Sequence, residues 1–288
     1  MATINLDNIT QAVIEHGDGG KKNPRLYQIY TSLVRHLHGF AREVNLSTEE
    51  LEIGRRFLFR LAQPNQDFPM GEVHLMSDCL GISELCILLD EQGSEKATGA
   101  NVEGPLLIEG APERELGAKI GEDDDGDPLF VYNRVLDLGG TPIAGAVVDI
   151  WQPRHDGHYF VQEESQQEWN FYAKIRTNEQ GECYFQTVIP GNYAVPTSGP
   201  TGNMLDQLGR HGERPAHIHY RIQAEGYPTF ITMAYMKNSP YIDSDTIFSV
   251  KDLKYDPQRH DSEEEMAARG VDKPFYTVDY DFRLRPIP

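Results

Sequence analysis

The stretch Arg214-Pro-Ala-His217-Ile-His219-Tyr220-Arg221-Ile222 carries the densest chemistry in this chain of 288 residues. It reads as a strand, and strand side chains alternate between faces, so His217 and His219 project to the same side. Their Cα atoms would lie ~6.6 Å apart, close enough for both imidazoles to share one metal ion. Histidine pairs on strands are also ordinary hydrogen-bonded residues, so the pair by itself leaves both roles open. Two further segments, Asp156-Gly-His-Tyr159-Phe160 and Gly191-Asn-Tyr193-Ala-Val195-Pro196, each place a tyrosine beside glycine or proline, in loops where a phenol can point inward. Two phenolates and two imidazoles form a hard, anionic set suited to a trivalent ion such as Fe(III), which in turn favours deprotonated phenols. Zinc would gain less. Tyr159 and Tyr193 are also two of 14 tyrosines, and simple packing is the other role open to them.

The elements that must position these side chains fall into two regimes. After Gly99 short apolar runs are punctuated by glycine and proline, as in Pro128-Leu-Phe-Val-Tyr132, Ala146-Val-Val-Asp-Ile-Trp151 and Cys183-Tyr-Phe-Gln-Thr-Val-Ile189, a pattern that predicts an antiparallel β-sandwich. The clearest strand alternates Tyr276, Val278, Tyr280, Phe282 and Leu284 with Thr277, Asp279, Asp281 and Arg283. Before Gly99 the spacing is helical. Leu26, Ile29, Leu33, Leu37, Phe40 and Val44 form one stripe behind an Asn23-Pro24 start signal. Ser47-Thr-Glu-Glu50 reads as a capping box for a second helix ending near Gln63-Pro64, and a third is predicted from about Glu72 to Leu89. The fold expected is therefore mainly β (α+β), with helical residues 1–101 ahead of a sandwich domain over 102–288.

Lys+Arg 26 against Asp+Glu 45 gives a net charge of -19, which disfavours nucleic acid and anionic membranes as partners. The acidic runs Glu122–Asp125 and Glu263–Glu265 sit among turn residues and read as solvated loops. Cys79, Cys86 and Cys183 have neither disulfide nor zinc spacing and read as small buried hydrophobes. No apolar run approaches the ~20 residues of a membrane span. The first residues lack the basic and apolar regions of a secretory signal, so a cytoplasmic protein is expected.

From about Asn23 onward the chain resembles the intradiol ring-cleavage dioxygenases of the catechol and hydroxyquinol 1,2-dioxygenase branch. The matching stretches are Asn23-Pro-Arg-Leu26, Thr31-Ser-Leu-Val-Arg-His-Leu-His38, Gly140-Thr-Pro-Ile-Ala-Gly-Ala-Val-Val-Asp-Ile-Trp151, Arg176-Thr-Asn178, Gly181-Glu-Cys-Tyr-Phe185, Tyr193-Ala-Val-Pro196, Gly199-Pro-Thr-Gly202 and Arg214-Pro-Ala-His-Ile-His219, in the family's order. The resemblance implies Fe(III) bound by Tyr159, Tyr193, His217 and His219. It further implies that Tyr159 leaves the metal and takes a substrate proton while Tyr193 stays bound, and that Arg214 stabilises developing charge. Both atoms of dioxygen would enter a muconate-type product. One departure falls fourteen residues after the second histidine, where the family carries a glutamine near the substrate and this chain has Met233.

By position in the family, Leu75, Asp78, Val102, Glu103, Gly104, Pro105, Val195, Pro196 and Met233 would face the ring. A carboxylate at Asp78 accepts a hydrogen bond from an added ring hydroxyl and repels a ring carboxylate, which points to hydroxyquinol, giving 3-hydroxymuconate or maleylacetate, ahead of catechol or protocatechuate. Glu103 points the same way. The resemblance also implies a homodimer through the N-terminal helices, with a bound phospholipid. Two other classes would share the strands: a cupin-like metalloenzyme, which lacks a later histidine at matching spacing because His260 sits in a polar loop, and a non-catalytic sandwich binding module. Ferric iron, a divalent ion or no metal would tell the three apart.

Overall fold

The computed structural model describes residues 3–64, 71–93, 96–123 and 125–287. Its contacts divide the chain into two compact units, Met1–Arg60 and Leu61–Pro288. The first contains α1 (Ile9–Glu15), α2 (Pro24–Glu43) and all but the last residue of α3 (Thr48–Leu61). Helix α2 starts where Asn23 accepts from the Leu26 amide at 2.9 Å and Pro24 occupies the first turn. The capping box precedes α3, with the Ser47 amide donating to Glu50 and the Glu50 amide to Ser47 Oγ at 2.8 and 3.2 Å. Helix α1 was not expected; seven residues are too few for a legible 3.6-residue period. It packs on α2, where Tyr27 Oη donates to the Ile14 carbonyl. The α2 residues that become buried are Thr31 and Val34, while the stripe Leu26, Ile29, Leu33, Leu37, Phe40 and Val44 stays exposed.

The second unit opens with α4 (Glu72–Cys79) and α5 (Ile82–Asp90), two helices in place of the single one expected. The break is at Gly81, whose φ of +72° is left-handed and ends a helix at little steric cost. The strands follow as β1 (Glu113–Arg114), β2 (Pro128–Asp137), β3 (Val147–Trp151), β4 (Tyr172–Arg176), β5 (Glu182–Val188) and β6 (Tyr193–Ala194). Helix α6 (Pro200–Gln207) leads to β7 (Glu213–Arg214), β8 (His217–Gln223), β9 (Phe230–Met236), β10 (Lys254–Tyr255), β11 (Gln258–His260), α7 (Glu263–Arg269) and β12 (Phe275–Leu284). A six-stranded sheet runs β1-β4-β3-β8-β9-β10 and a four-stranded sheet β11-β12-β2-β5. Most neighbouring strands are antiparallel, but β1/β4, β9/β10 and β2/β12 are parallel, so the sandwich is mixed. Among the described residues no helix is long and apolar enough to cross a membrane.

The core lies between the sheets, and alternation decides which side chains enter it. Ile218, Tyr220 and Ile222 of β8 join Ala234 and Met236 of β9 and Val148 and Ile150 of β3 in the core. The intervening residues are left to the outer face of the six-stranded sheet. The register there sets Trp151 opposite His219, His219 opposite Met233 and His217 opposite Tyr235. That face would be solvated in a bare sandwich; here loops cover it, and His217, His219, Met233 and Tyr235 are all buried.

Three expectations need correction. Glu263–Glu265 is the first turn of α7, capped by Ser262 and favoured by the helix dipole. The Asp123 carboxylate is buried and accepts from the amide of His155 at 3.0 Å, with His155 Nδ1 at 2.7 Å; Asp124 lies outside the described residues. Cys79 and Cys183 are buried, but Cys86 is exposed on α5, whose outward positions include Leu85 and Leu88.

Candidate functional site

The two tyrosine loops are fastened to each other and to β8 by backbone contacts. Gly157 has φ +88°, and a Cβ there would stand 2.2 Å from the Asn192 carbonyl oxygen; a Cβ on Gly191 would stand 2.3 Å from that of His155. Gly191 N–H donates to the Arg154 carbonyl at 2.8 Å, so the loops ahead of Tyr159 and Tyr193 touch main chain to main chain. Asn192 Oδ1 accepts from the Ala216 amide at 2.9 Å and from Ser239 Oγ at 2.5 Å, tying the second loop to the start of β8. Tyr193 pairs with Arg214 across the β6–β7 ladder. Gly157→Ala is therefore expected to destabilise the fold by at least about 2 kcal/mol through the left-handed φ and the clash. A denaturant melt compared with Gly226→Ala, which has φ +82° but no neighbour within 4 Å, separates clash from backbone strain.

Four donor atoms converge between these loops and the sheet. His217 Nε2 lies 3.0 Å from His219 Nε2 and 3.4 Å from Tyr193 Oη, and His219 Nε2 lies 3.2 Å from Tyr159 Oη. His217 Nδ1 faces the Pro215 carbonyl at 2.7 Å, so it carries the proton and leaves the Nε2 lone pair facing the cluster. Trp151 stacks on the His219 ring at 4.7 Å and 9°, fixing its plane. Burial, reinforced by the Arg214 charge, holds both histidines well below the ordinary imidazole range; for His219, His217 adds to the effect. Tyr159 is fully buried, and burial, with Tyr193 and Tyr172 as neighbours, raises its phenol well above the usual range. Among the described residues no group of three or more His, Cys, Asp or Glu side chains could hold a metal ion. A set of two phenols and two neutral imidazoles is a different kind of site. Donors bound to one ion at ~2.0–2.2 Å stand roughly 3 Å apart, as these do, so the cluster fits a metal.

Arg214 stands over this cluster, 3 % exposed, with Nη1 2.9 Å from Tyr193 Oη and 3.3 Å from His217 Nε2. It pairs with Asp245 at 3.2 Å. Burial works against charge on both groups, but their attraction outweighs it, keeping Arg214 well above and Asp245 below their ordinary ranges.

Beside the cluster lies a cavity lined by Leu75, Asp78, Val102, Gly104, Pro105, Val195 and Pro196, with Tyr193, Arg214 and His219 at one wall. Two expected lining residues are placed elsewhere. Glu103 is exposed and absent from the lining. Met233 is buried behind Arg214, its Sδ 3.4 Å from Nη2 and 3.1 Å from Tyr235 Oη. Sequence reasoning missed Leu106, Gln162, Ala194 and Ile247 in the lining, and Asp245, Tyr235, Ser249 and Asn192 around it. Only Tyr235 had a signal, its two-residue offset from Met233 on one strand.

The family model described as "Dioxygenase" matches residues 102–286, and "Catechol dioxygenase N terminus" matches residues 23–98. The chain belongs to the intradiol ring-cleavage dioxygenases. This dioxygenase is 40% identical over 251 residues to a 6-chlorohydroxyquinol 1,2-dioxygenase of Cupriavidus pinatubonensis, covering 87% of this chain and 90% of the relative. It is 36% identical over 265 residues to a hydroxyquinol 1,2-dioxygenase of Rhizobium sp., covering 91% and 90%. The crystal structure of a hydroxyquinol 1,2-dioxygenase from Pseudomonas putida superposes with a TM-score of 0.87 at 37% identity, covering 98% of this chain and 97% of that one. As an intradiol dioxygenase the protein is an oxidoreductase, and the cupin and binding-module readings fall away.

Proposed function

We propose that this dioxygenase cleaves hydroxyquinol between its two adjacent hydroxyl-bearing carbons, using a ferric ion held by Tyr159, Tyr193, His217 and His219. The observation that carries the proposal is the convergence of two phenol oxygens and two Nε2 atoms at 3.0–3.4 Å, with the His217 tautomer set by Pro215. When bound, the ferric ion supplies an anchor for both ring oxygens and an electron acceptor that makes the ring reactive towards dioxygen. Tyr159 Oη would accept a substrate proton as a phenolate, and burial favours the neutral phenol that results. Arg214 Nη1 donates at Tyr193 Oη and presents its charge to the ring edge. Leu75, Val102, Pro105 and Val195 form an apolar wall that keeps water from the ring.

Asp78 supports hydroxyquinol over catechol. It is the one carboxylate lining the cavity among the described residues, and burial raises it above the usual carboxylate range. It accepts a hydrogen bond from a third ring hydroxyl, and both relatives named above bear hydroxyquinol-type names. Asp78→Leu is expected to raise KM for hydroxyquinol about tenfold while leaving catechol within about twofold; steady-state kinetics on both diols measure the ratio.

The N-terminal helices, within the proposed helical region 1–101 ahead of a catalytic region 102–288, are proposed to form a homodimer that also holds a phospholipid. The exposed stripe of Leu26, Ile29, Leu33, Leu37, Phe40 and Val44 supports this. Leu33→Asp with Phe40→Asp should sediment as a monomer where the parent sediments as a dimer. A cytoplasmic location belongs to the same proposal, supported by three free cysteines.

The test is a visible spectrum of the iron-loaded protein before and after anaerobic addition of hydroxyquinol, then of catechol. Phenolate-to-iron charge transfer should colour the resting protein, and hydroxyquinol should shift the band at lower concentration than catechol. A protein that stays colourless after iron loading overturns the ligand assignment, and a shift with catechol alone overturns the substrate.

A further inference from the structure

Arg214 has more partners than a single catalytic cation needs, and two of them, Asp245 and Ser249, come from one short turn. In that turn Ser249 donates to Asp245 Oδ2 from its amide at 3.1 Å and from Oγ at 2.9 Å, and the Phe248 amide donates to the Asp245 carbonyl at 3.0 Å. Asp245 and Ser249 are 5 % and 0 % exposed. Since Ser249 Oγ spends its proton on Asp245, it accepts from Arg214 Nη2 at 2.7 Å and from Tyr235 Oη at 2.5 Å. Tyr235 Oη in turn accepts from Nη2 at 2.9 Å, and Asp245 takes Nε at 3.2 Å. The Nε and Nη2 edge is thereby occupied. Nη1 is left to face Tyr193 Oη and His217 Nε2.

Two independent features mark the turn as more than packing. Phe248 is exposed and has φ +59°, a left-handed conformation that a bulky residue adopts only where its surroundings impose it. The Arg210 guanidinium lies over its ring at 5.0 Å. Between the two anchoring residues, Ile247 lines the substrate cavity. One turn thus touches the substrate space and holds the cation that borders it.

We propose that the Asp245–Ser249 turn, together with Tyr235, is a positioning device that aims Arg214 Nη1 at the Tyr193 oxygen, and that Asp245, Ser249 and Tyr235 are positioning residues for the ring-cleavage reaction. The inference rests on the reading of Tyr193 as a metal ligand. Ser249→Ala and Tyr235→Phe each remove one acceptor from Nη2 and leave every cavity-lining side chain in place. In the iron-loaded enzyme each should lower kcat about tenfold with KM within about twofold, retain full iron content, and move the phenolate-to-iron band. In the iron-free protein the Arg214 Nε–H proton, observed by NMR, should exchange with solvent at least about tenfold faster in Asp245→Asn than in the parent.

A band and an Nε–H exchange rate both unchanged from the parent would overturn the proposal, even if kcat fell, because turnover would then be lost by another route. Should the parent take up no iron and show no band, the ligand reading fails by itself. The exchange rate then still decides whether the turn holds Arg214.

Discussion

Replacing Tyr193 with phenylalanine is expected to remove ferric colour and turnover together while leaving the fold nearly intact. The ring would keep its packing, edge-on to Tyr159 at 5.5 Å and tilted to His217 at 5.4 Å, with the Arg214 guanidinium 5.7 Å from its centre. What disappears is the oxygen that accepts from Arg214 Nη1 at 2.9 Å and faces His217 Nε2 at 3.4 Å. Removing a partner outside the ligand shell already costs roughly 10–100-fold in metal affinity or activity, so loss of a ligand should exceed about 100-fold. The cluster then has one phenolate to offset a trivalent ion in a buried space. Iron content per chain, the visible band and oxygen uptake with hydroxyquinol measure the effect. A thermal melt within a few degrees of the parent shows that the fold survives. A variant that keeps both colour and turnover would show that Tyr193 is not a ligand.

Local rules made the placement of some site residues legible, while the set of four candidate ligands came only from the family resemblance. Alternation along β8 puts His217 and His219 on the face opposite Ile218, Tyr220 and Ile222, and glycines beside Tyr159 and Tyr193 signal turns of close backbone approach. The rest was not local. Asp245 meets Arg214 across 31 residues and Ser249 across 35, in a turn with no period to read. Met233 shows how position in a family can mislead about direction. The register does place it beside His219, but its unbranched thioether folds back under Arg214. The predicted helix over Glu72 to Leu89 failed for a similar reason: its apolar spacing is continuous across Gly81, and only the left-handed φ at that residue separates α4 from α5. Even so, Leu75 and Asp78 reach the cavity because both lie on α4, ahead of the break.

Arg214→Met is expected to be costly twice, and the two costs respond differently to pH. Removing the guanidinium strips Asp245 of the cation that holds its carboxylate below the usual range, leaving a charge buried on 5 % exposure with only Ser249 as a partner for Oδ2. Breaking a buried pair in this way costs about 3–5 kcal/mol, and loss of the charge beside Tyr193 should lower kcat roughly 10²–10³-fold. In the parent, the lowered folded pKa of Asp245 contributes stability that is present above the unfolded value of about 3.9 and fades as pH falls through the folded value. In the variant that contribution shrinks: only the two Ser249 donors then oppose burial, so the folded pKa rises relative to the parent and less stability is gained as pH rises from about 4 towards neutral. The gap between parent and variant should therefore be narrowest near pH 4 and widest at pH 7, as read from urea melts at both. Adding Asp245→Asn to Arg214→Met removes the orphaned charge and should restore most of the stability at pH 7 without restoring kcat. An equal gap at both pH values, or a double variant no more stable than the single, would mean that Asp245 is not the charge Arg214 neutralises.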